Sequence, residues 1–419
     1  MLANIQTKHI YWYYGGLLIF MFLLMNMLPH SVPMVVRLAL TIGFLVPIAL
    51  DSRCIIFAFS CIWMTNLYSF SPMLPEFKFL YLIVSLIYLF VVIRDLAAIK
   101  WGLLIWFYFS MICLVHGDSQ LFVMMTIIGI ILSSGVKKEE DLKLLNNGII
   151  IASLYLSLLF LLNMDAFAES YNDDLERSSW MNSNTFGSLV CFGSILAVGI
   201  VTKQIKIRIS NAEYFMYLVT ALLGLTVLII NASRGALLSF AGGVALFVFL
   251  SRTKTLYKVL FATAVVVLVY LLYLNGYFEL LELRMESNVD NVGNRTDIWQ
   301  TKLDAFSNFD FWDFLFGRSR EGANNIRSFS GYLSTHNDFV TALVGYGAVG
   351  LVLYLGLFAV TIFRAQSGRK LSVFILLLVL AMEASVVEPI FRGNFMAILF
   401  FVFIYKYATI PINNGKRGW

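Results

Sequence analysis

The chain has 419 residues, of which 60% are hydrophobic and 13% are charged, and its mean hydropathy is +0.81. Soluble domains carry about 25% charged residues, so this composition excludes a soluble globular protein and predicts an all-α, polytopic membrane protein. The formal net charge of +5 would suit nucleic-acid binding in a soluble protein. Here the basic residues sort by side of the membrane, so no nucleic-acid partner is expected.

Fourteen apolar stretches of membrane-spanning length follow one another along the chain. They cover approximately residues 11–28, 34–50, 54–70, 77–93, 101–115, 120–134, 146–164, 184–202, 212–231, 235–251, 256–275, 338–364, 371–388 and 391–410. Several are shorter than the ~20 residues of a standard span, so we expect 12 to 14 spans. The four cysteines all fall inside these stretches and are interpreted as small buried hydrophobic residues.

The lysines and arginines indicate which side of the membrane each junction faces, because cytoplasmic loops are enriched in them. Alternate junctions carry 19 basic residues on one side, whereas the short junctions on the other side carry 5. With an even number of spans, this asymmetry predicts that both termini lie in the cytoplasm. The polar segment 276–337 is then expected on the far side, which in a bacterial inner membrane is the periplasm.

The two sides also differ in the kind of basic residue that they carry. The cytoplasmic set has 12 Lys and 7 Arg, whereas the far side has 9 Arg and 2 Lys. Topology does not require Arg over Lys, but a planar guanidinium binds phosphate through two parallel hydrogen bonds. The pattern therefore favours a phosphate-bearing ligand on the far side. Better pairing of Arg with local acidic residues is the alternative interpretation.

We expect three parts in the chain: transmembrane helices over residues 1–275, one large periplasmic loop over 276–337, and further spans with a cytoplasmic tail over 338–419. Within the loop, the sequence predicts a turn at Val292–Asn294 and an amphipathic helix from Arg295 to Phe306. Six of the residues from Phe306 to Phe316 are aromatic. Aromatic residues beside a membrane usually lie in its interface, and stacking on sugar rings is the alternative.

Four short motifs on the expected periplasmic side contain residue types that could carry chemistry. They are Asn182 and Asn184 at the entry to the eighth stretch, Arg234 in a Ser-Arg-Gly turn, Arg295 with Trp299 in the loop, and His336-Asn337 before a stretch containing Gly345, Gly347 and Gly350. The glycines predict close helix packing that holds the histidine end firmly. A structural or helix-capping role is the alternative for His336.

Further polar residues on this side are candidate supporting residues. They are Arg318, Arg320, Arg327 and Asn337 around the loop, and Glu383 within the thirteenth stretch. A carboxylate inside the membrane is costly and therefore a functional hypothesis by default. Glu383 is interpreted either as orienting an arginine or the histidine, or as pairing with another span. No D-x-D motif or metal-ligand spacing occurs, so neither a metal nor another cofactor is expected.

The order of these motifs resembles the superfamily of O-antigen ligases and O-antigen polymerases, which are bacterial envelope glycosyltransferases. The resemblance is clearest over residues 180–355. It implies the multi-span helical fold called GT-C and a metal-independent, inverting glycosyl transfer at the periplasmic face of the bacterial inner membrane. The donor would be an oligosaccharide on undecaprenyl diphosphate. Arg234 and Arg295 would hold the diphosphate, and His336 would act as general base, with Asn184 and Trp299 in support.

Two related activities follow from the resemblance, and a third comes from another class. A polymerase would add glycan to a new lipid-linked repeat unit, with a chain-length regulator protein as a further partner. A ligase would transfer the finished glycan to lipid A-core. The polymerase is favoured because the outer loops contain no obvious acceptor-docking domain. A lipid-linked oligosaccharide transporter is least favoured, because no internal repeat is visible.

Overall fold

The computed structural model describes residues 7–27, 33–51, 53–65, 101–118, 122, 129, 133–162, 183–251, 255–278, 289–326, 335–387, 390–391 and 395–411. All regular secondary structure in these ranges is helical, as the composition predicts. The helices are α1 (Thr7–Met27), α2 (Met34–Leu50), α3 (Cys54–Thr65), α4 (Trp101–Val115), α5 (Ser133–Gly135), α6 (Glu139–Leu162), α7 (Ser183–Val201), α8 (Asn211–Ile230), α9 (Arg234–Phe249), α10 (Thr255–Leu274), α11 (Val289–Ser307), α12 (Phe311–Phe316), α13 (Ser319–Asn325), α14 (Asp338–Arg364), α15 (Lys370–Val386) and α16 (Phe395–Thr409).

The helices identify an integral membrane protein. By length and composition, α6, α8 and α14 could each cross a membrane, and shorter apolar helices such as α9 and α16 accompany them. Large apolar side chains are exposed on the outside of the bundle, including Val266 and Tyr270 of α10 and Phe363 of α14. The predicted stretch 77–93 lies outside the described residues, and the total number of spans stays a prediction.

Helix α7 is the central helix of the described bundle. Every residue from 186 to 200 is buried, and the helix packs against α6, α8 and α9. Small residues permit this close packing, because a Cβ atom at Gly193 would lie 2.2 Å from the Cβ of Ser153 on α6. In a lipid environment, helix association depends on such close van der Waals contact.

The helix ends gather into two groups. The site end contains residues 116–118, 183–187, 231–236, 335–340, 385–387 and 390–391, and the opposite end contains 51, 53, 137–147, 203–213, 364–372 and 406–410. At the opposite end, the Lys143 ammonium lies 2.9 Å from the Glu213 carboxylate. The Ser372 hydroxyl there donates to the carbonyl of Gln204 at 2.6 Å. Successive junctions between these helices thus fall at alternate ends of the bundle, as the order of apolar stretches in the sequence predicts.

Helix α14 is bent sharply at Gly347, where φ is 74° and ψ is −175°. A continuous helix would separate Asp338 from Tyr354 by ~24 Å along its axis. The Tyr354 hydroxyl instead lies 3.4 Å from the Asp338 carboxylate, and the Phe339 and Tyr354 rings are 5.5 Å apart. The first half of α14 therefore folds back over the second half. The sequence predicts one span over 338–364, but only 348–364 continues as a straight helix beyond the bend.

The polar segment packs onto the first half of α14. Phe306 and Ala323 form a small second core with Val340 and Val344. Gly317 follows α12 with a φ of 77°, and a Cβ atom there would lie 2.4 Å from the Gly345 carbonyl. The Arg318 N–H donates to the Val344 carbonyl at 3.3 Å. The helix predicted from Arg295 is present, but the turn predicted at 292–294 is wrong, because α11 already begins at Val289.

We expect Gly347→Ala to destabilise the protein, because that backbone conformation is available essentially to glycine only and costs other residues about 1–3 kcal/mol. A Cβ atom would also lie 2.3 Å from the Leu315 carbonyl, so the backbone must shift. The measurement is thermal unfolding of the purified protein in detergent. Gly16→Ala in α1 is the matched control, since nothing lies within 4 Å of the added atom. Equal unfolding midpoints for both variants would contradict this account of the bend.

Candidate functional site

The carboxyl end of α15 is the point where three of the sequence motifs meet. The Asn337 amide donates to the Ser385 carbonyl at 3.2 Å, and the Arg295 guanidinium donates to the Val386 carbonyl at 3.2 Å. A Cβ atom on Gly235 would lie 3.1 Å from the Val386 side chain, so the turn at Arg234 also packs here. The last carbonyls of a helix lack intrahelical partners and carry partial negative charge, so amide and guanidinium donors stabilise them.

His336 lies in a backbone segment held from several directions. The Trp299 indole donates to the Thr335 carbonyl at 2.8 Å, and the Thr335 hydroxyl is 2.5 Å from that of Thr341. The φ of His336 is 51°, a left-handed conformation that costs a residue with a side chain about 1 kcal/mol or more. These contacts hold the histidine in this conformation directly before the cap of α14. Its side chain is half-buried.

The helix cap of α14 is Asn337. Its side-chain oxygen accepts from the backbone N–H groups of Phe339 and Val340, which satisfies two donors that every helix start exposes. The next residue, Asp338, is fully buried and accepts from the N–H groups of Ile390 and Phe391 at 3.1 and 3.2 Å. The capping role considered for His336 is therefore filled by its neighbour.

Arg234 begins α9 and is half-buried beside the entry of α7. A Cβ atom on Gly187 of α7 would lie 2.4 Å from the Ser233 hydroxyl, so the two helices touch one turn from Asn184. Among the described residues, the Arg234 side chain has no hydrogen-bond or ion-pair partner. A guanidinium at a helix junction can bind an anionic ligand. Asn182 lies outside the described residues.

The three arginines of the loop differ in their surroundings. Arg318 is exposed, pairs with Asp313 at 2.6 Å and lies over the Phe309 ring at 4.2 Å. Arg320 sits at the bend of α14, where a Cβ atom on Gly345 would lie 3.6 Å from the Arg320 Cα atom. It has no hydrogen bond or ion pair within the described ranges. Arg327 lies outside them.

Glu383 is fully buried in α15, one turn below the carbonyls that hold Asn337 and Arg295. One carboxylate oxygen accepts from the Ser188 hydroxyl at 2.5 Å, and Ser188 also donates to the Asn184 carbonyl at 3.1 Å. Glu383 thus links α15 to α7 through Ser188. Among the described residues, its hydrogen bond joins another helix and does not reach an arginine or a histidine.

Two features of this site were not predicted from the sequence. One is Asp338, whose position directly after a capping asparagine does not reveal that its carboxylate binds residues 390 and 391. The other is the pair of carbonyls at Ser385 and Val386, since every residue has a carbonyl and no side-chain pattern marks the ones that are used. Only the packing of α11 and α14 against α15 identifies them.

No group of three or more His, Cys, Asp or Glu residues among the described residues could hold a metal ion. All four cysteines, Cys54, Cys61, Cys113 and Cys191, are free thiols and buried, as the sequence predicts. The segments that meet at the carboxyl end of α15 carry a histidine, arginines, an amide and an indole. This set suits anion binding and proton transfer.

Comparison with known families bears on the class of protein. Residues 219–355 match the family described as O-antigen ligase, and this range contains Arg234, Arg295 and His336. The match confirms the resemblance to the superfamily of O-antigen ligases and polymerases, and this family implies glycosyltransferase-like activity and a role in lipopolysaccharide biosynthesis. A search of curated proteins found no match.

We expect Asn337→Ser and Asn337→Ala to lose activity to the same extent but to differ in stability. Serine caps a helix about as well as asparagine, whereas alanine costs ~1 kcal/mol. Both substitutions remove the amide that reaches the Ser385 carbonyl, so both free the histidine segment from α15. Small displacements of this kind can cost up to about a hundredfold in rate. The measurements are thermal unfolding and glycan assembly in a complemented deletion strain.

Full activity of the Asn337→Ser variant would contradict the positioning role of the bond to α15. A loss confined to Asn337→Ala would mean that only the helix cap matters. Thr361→Ser on α14 serves as a control for a conservative substitution in the same helix, because serine keeps the hydroxyl that donates to the Leu357 carbonyl.

Proposed function

We propose that this protein is an O-antigen or capsule repeat-unit polymerase that moves glycan from undecaprenyl diphosphate to an acceptor sugar hydroxyl. The observation that carries the proposal is the meeting of the Arg234 turn, Arg295 and the His336 segment at the carboxyl end of α15. These residues are 102 positions apart at most in the sequence, and separate helices bring them together. An inverting transfer from a diphosphate donor needs a base and cations at one place.

The residues have distinct roles in this proposal. The acceptor oxygen bonds to the anomeric carbon of the donor sugar while the bond from that carbon to the diphosphate oxygen breaks. His336 takes the hydroxyl proton, which suits an imidazole at neutral pH. Negative charge remains on the diphosphate, where Arg234 and Arg295 stabilise it through preorganised hydrogen bonds. The bond from the Arg295 guanidinium to the Val386 carbonyl fixes that cation at the carboxyl end of α15.

The proposal includes the setting of the reaction. The chain would lie in a bacterial inner membrane with both termini in the cytoplasm and the site end in the periplasm. The basic residues support this arrangement. The opposite end carries Lys137, Lys138 and Lys143, and an excess of lysine and arginine is typical of a cytoplasmic face. The partners are the lipid-linked donor, an acceptor glycan, membrane lipid and a chain-length regulator protein.

Ligation of the finished glycan to lipid A-core is the second candidate. The observation that favours it is the description of the matched family, O-antigen ligase. Both reactions use the same kind of donor, so the same histidine and arginines would serve either one. The absence of a visible acceptor-docking domain in the sequence leads us to prefer the polymerase.

His336→Ala should lower glycan transfer by at least about a hundredfold, since a positioned general base contributes 10²–10⁴ in rate. The measurement is the lipopolysaccharide ladder of a deletion strain that carries the variant gene. His9→Ala in α1 is the matched control, because His9 is exposed and lies far from the site along the chain. An unchanged ladder with His336→Ala would exclude the proposed base.

The same gel separates the two candidate functions. Deletion of a polymerase gene leaves a single repeat unit on the lipopolysaccharide core. Deletion of a ligase gene leaves bare core, and long glycan accumulates on the lipid carrier. The second pattern would overturn the polymerase and support the ligase.

Arg234→Lys should reduce transfer about tenfold or more, because lysine keeps the charge but loses the planar fork that binds two phosphate oxygens. Arg208→Lys is the matched control, because Arg208 is exposed and lies at the opposite end of the bundle. The measurement is donor consumption by purified protein at several donor concentrations. Wild-type kinetics for Arg234→Lys would indicate that Arg234 acts only as a general positive charge.

A further inference from the structure

The short helix α12 presents a cluster of aromatic side chains to the outside. Phe311 and Trp312 are 67% and 68% exposed, and Phe316 is 40% exposed. The Trp312 ring stacks on Phe316 with 6.2 Å between centroids, and Phe311 meets Trp312 edge to face at 5.4 Å. We call these three side chains the aromatic face. An exposed aromatic cluster of this kind marks a contact with a partner or with a membrane.

The position of α12 relative to α14 indicates its depth in the membrane. The residue after α12, Gly317, contacts Gly345, and the Leu315 backbone lies against Gly347. From the bend to Arg364 at the opposite end, the straight part of α14 has 17 residues, which span ~26 Å. The hydrocarbon core of a bilayer is ~30 Å thick. The aromatic face is therefore at the level of the far boundary of the hydrocarbon.

The surroundings of the aromatic face match this level. The second half of α14 begins at the bend against which Leu315 lies, and it exposes Val352 and Leu355 as a helix in contact with lipid does. Asp310 caps α12 by accepting from the N–H groups of Trp312 and Asp313, and Asp313 pairs with Arg318. Aromatic rings next to charged groups are characteristic of the membrane–water interface, where both find favourable surroundings.

We propose that the aromatic face inserts into the interfacial layer of the lipid leaflet at the site end, and so anchors the first half of α14 to the membrane. The occupant is the phospholipid interface. The contact of Gly317 with Gly345 joins this anchor to α14, whose cap residue Asn337 directly follows His336. The anchor thereby sets the height of the histidine at the level where the diphosphate of a lipid-linked molecule would lie. The insertion itself does not depend on the proposed enzymatic activity.

The test uses a spin label at the aromatic face in proteoliposomes of phosphatidylethanolamine and phosphatidylglycerol. The native cysteines are buried, so Trp312→Cys provides a selective labelling site. Power saturation with oxygen and with a water-soluble nickel complex reports the depth of the label. Gln300→Cys is the matched control, because Gln300 is exposed on the neighbouring polar helix α11. Phe311→Cys provides a second site if the Trp312 variant does not fold.

We expect the label at position 312 or 311 to lie about 5–10 Å below the lipid phosphates, and the label at 300 to remain in water. Nickel accessibility at 312 and 311 equal to that at 300 would overturn the proposal. Water accessibility that falls only when a soluble oligosaccharide is added would overturn it in favour of sugar stacking. Neither result would bear on the general base, so the proposed function is tested separately.

Discussion

The contact between the backbone at Gly317 and the bend of α14 is the constraint on which the site depends. The bend uses a conformation of Gly347 that essentially only glycine adopts, and Gly317 fits against it because neither glycine has a Cβ atom. This contact joins the polar segment to the membrane bundle. A straight continuation of α14 beyond Gly347 would carry its first residues away from the carboxyl end of α15.

The bend also explains how a buried carboxylate is tolerated at the start of α14. Folding back brings Asp338 to the backbone N–H groups of residues 390 and 391 and to the Tyr354 hydroxyl. Hydrogen bonds to a charged group contribute about 1.5–3 kcal/mol, and they offset the cost of removing the carboxylate from water. The result ties the His336 segment to the connection between α15 and α16.

The carboxyl end of α15 then acts as the meeting point of the site. Its terminal carbonyls accept from Asn337 and Arg295, while its side chains pack against Gly235 next to Arg234. Backbone acceptors at a helix end are rigid, so the groups that bind them are held in fixed positions. Glu383, one turn lower, links the same helix through Ser188 to the entry of α7, where Asn184 lies.

Much of the described bundle could be predicted because a membrane span requires a long apolar segment. The stretches predicted at 184–202, 212–231, 235–251 and 256–275 agree closely with the helices from α7 to α10. The sequence marks His336, Arg234 and Arg295 as candidates because they stand between apolar stretches. Contact with lipid does not require a histidine or an arginine there, whereas proton transfer and phosphate binding do. Their roles remain predictions. The turn at 292–294 was wrong, because α11 extends through a glycine that local propensity alone would place in a turn.

The sequence by itself determined that the chain is a helical membrane protein, which junctions share a side, and that residues 219–355 resemble the O-antigen ligase family. These properties follow from composition, charge and local motifs, which are all visible along one dimension. Only the tertiary structure decided that α14 folds back at Gly347 and that Arg295 and Asn337 bind neighbouring carbonyls of α15. The reason is physical: backbone carbonyls are present at every residue, and packing alone selects the few that become binding partners.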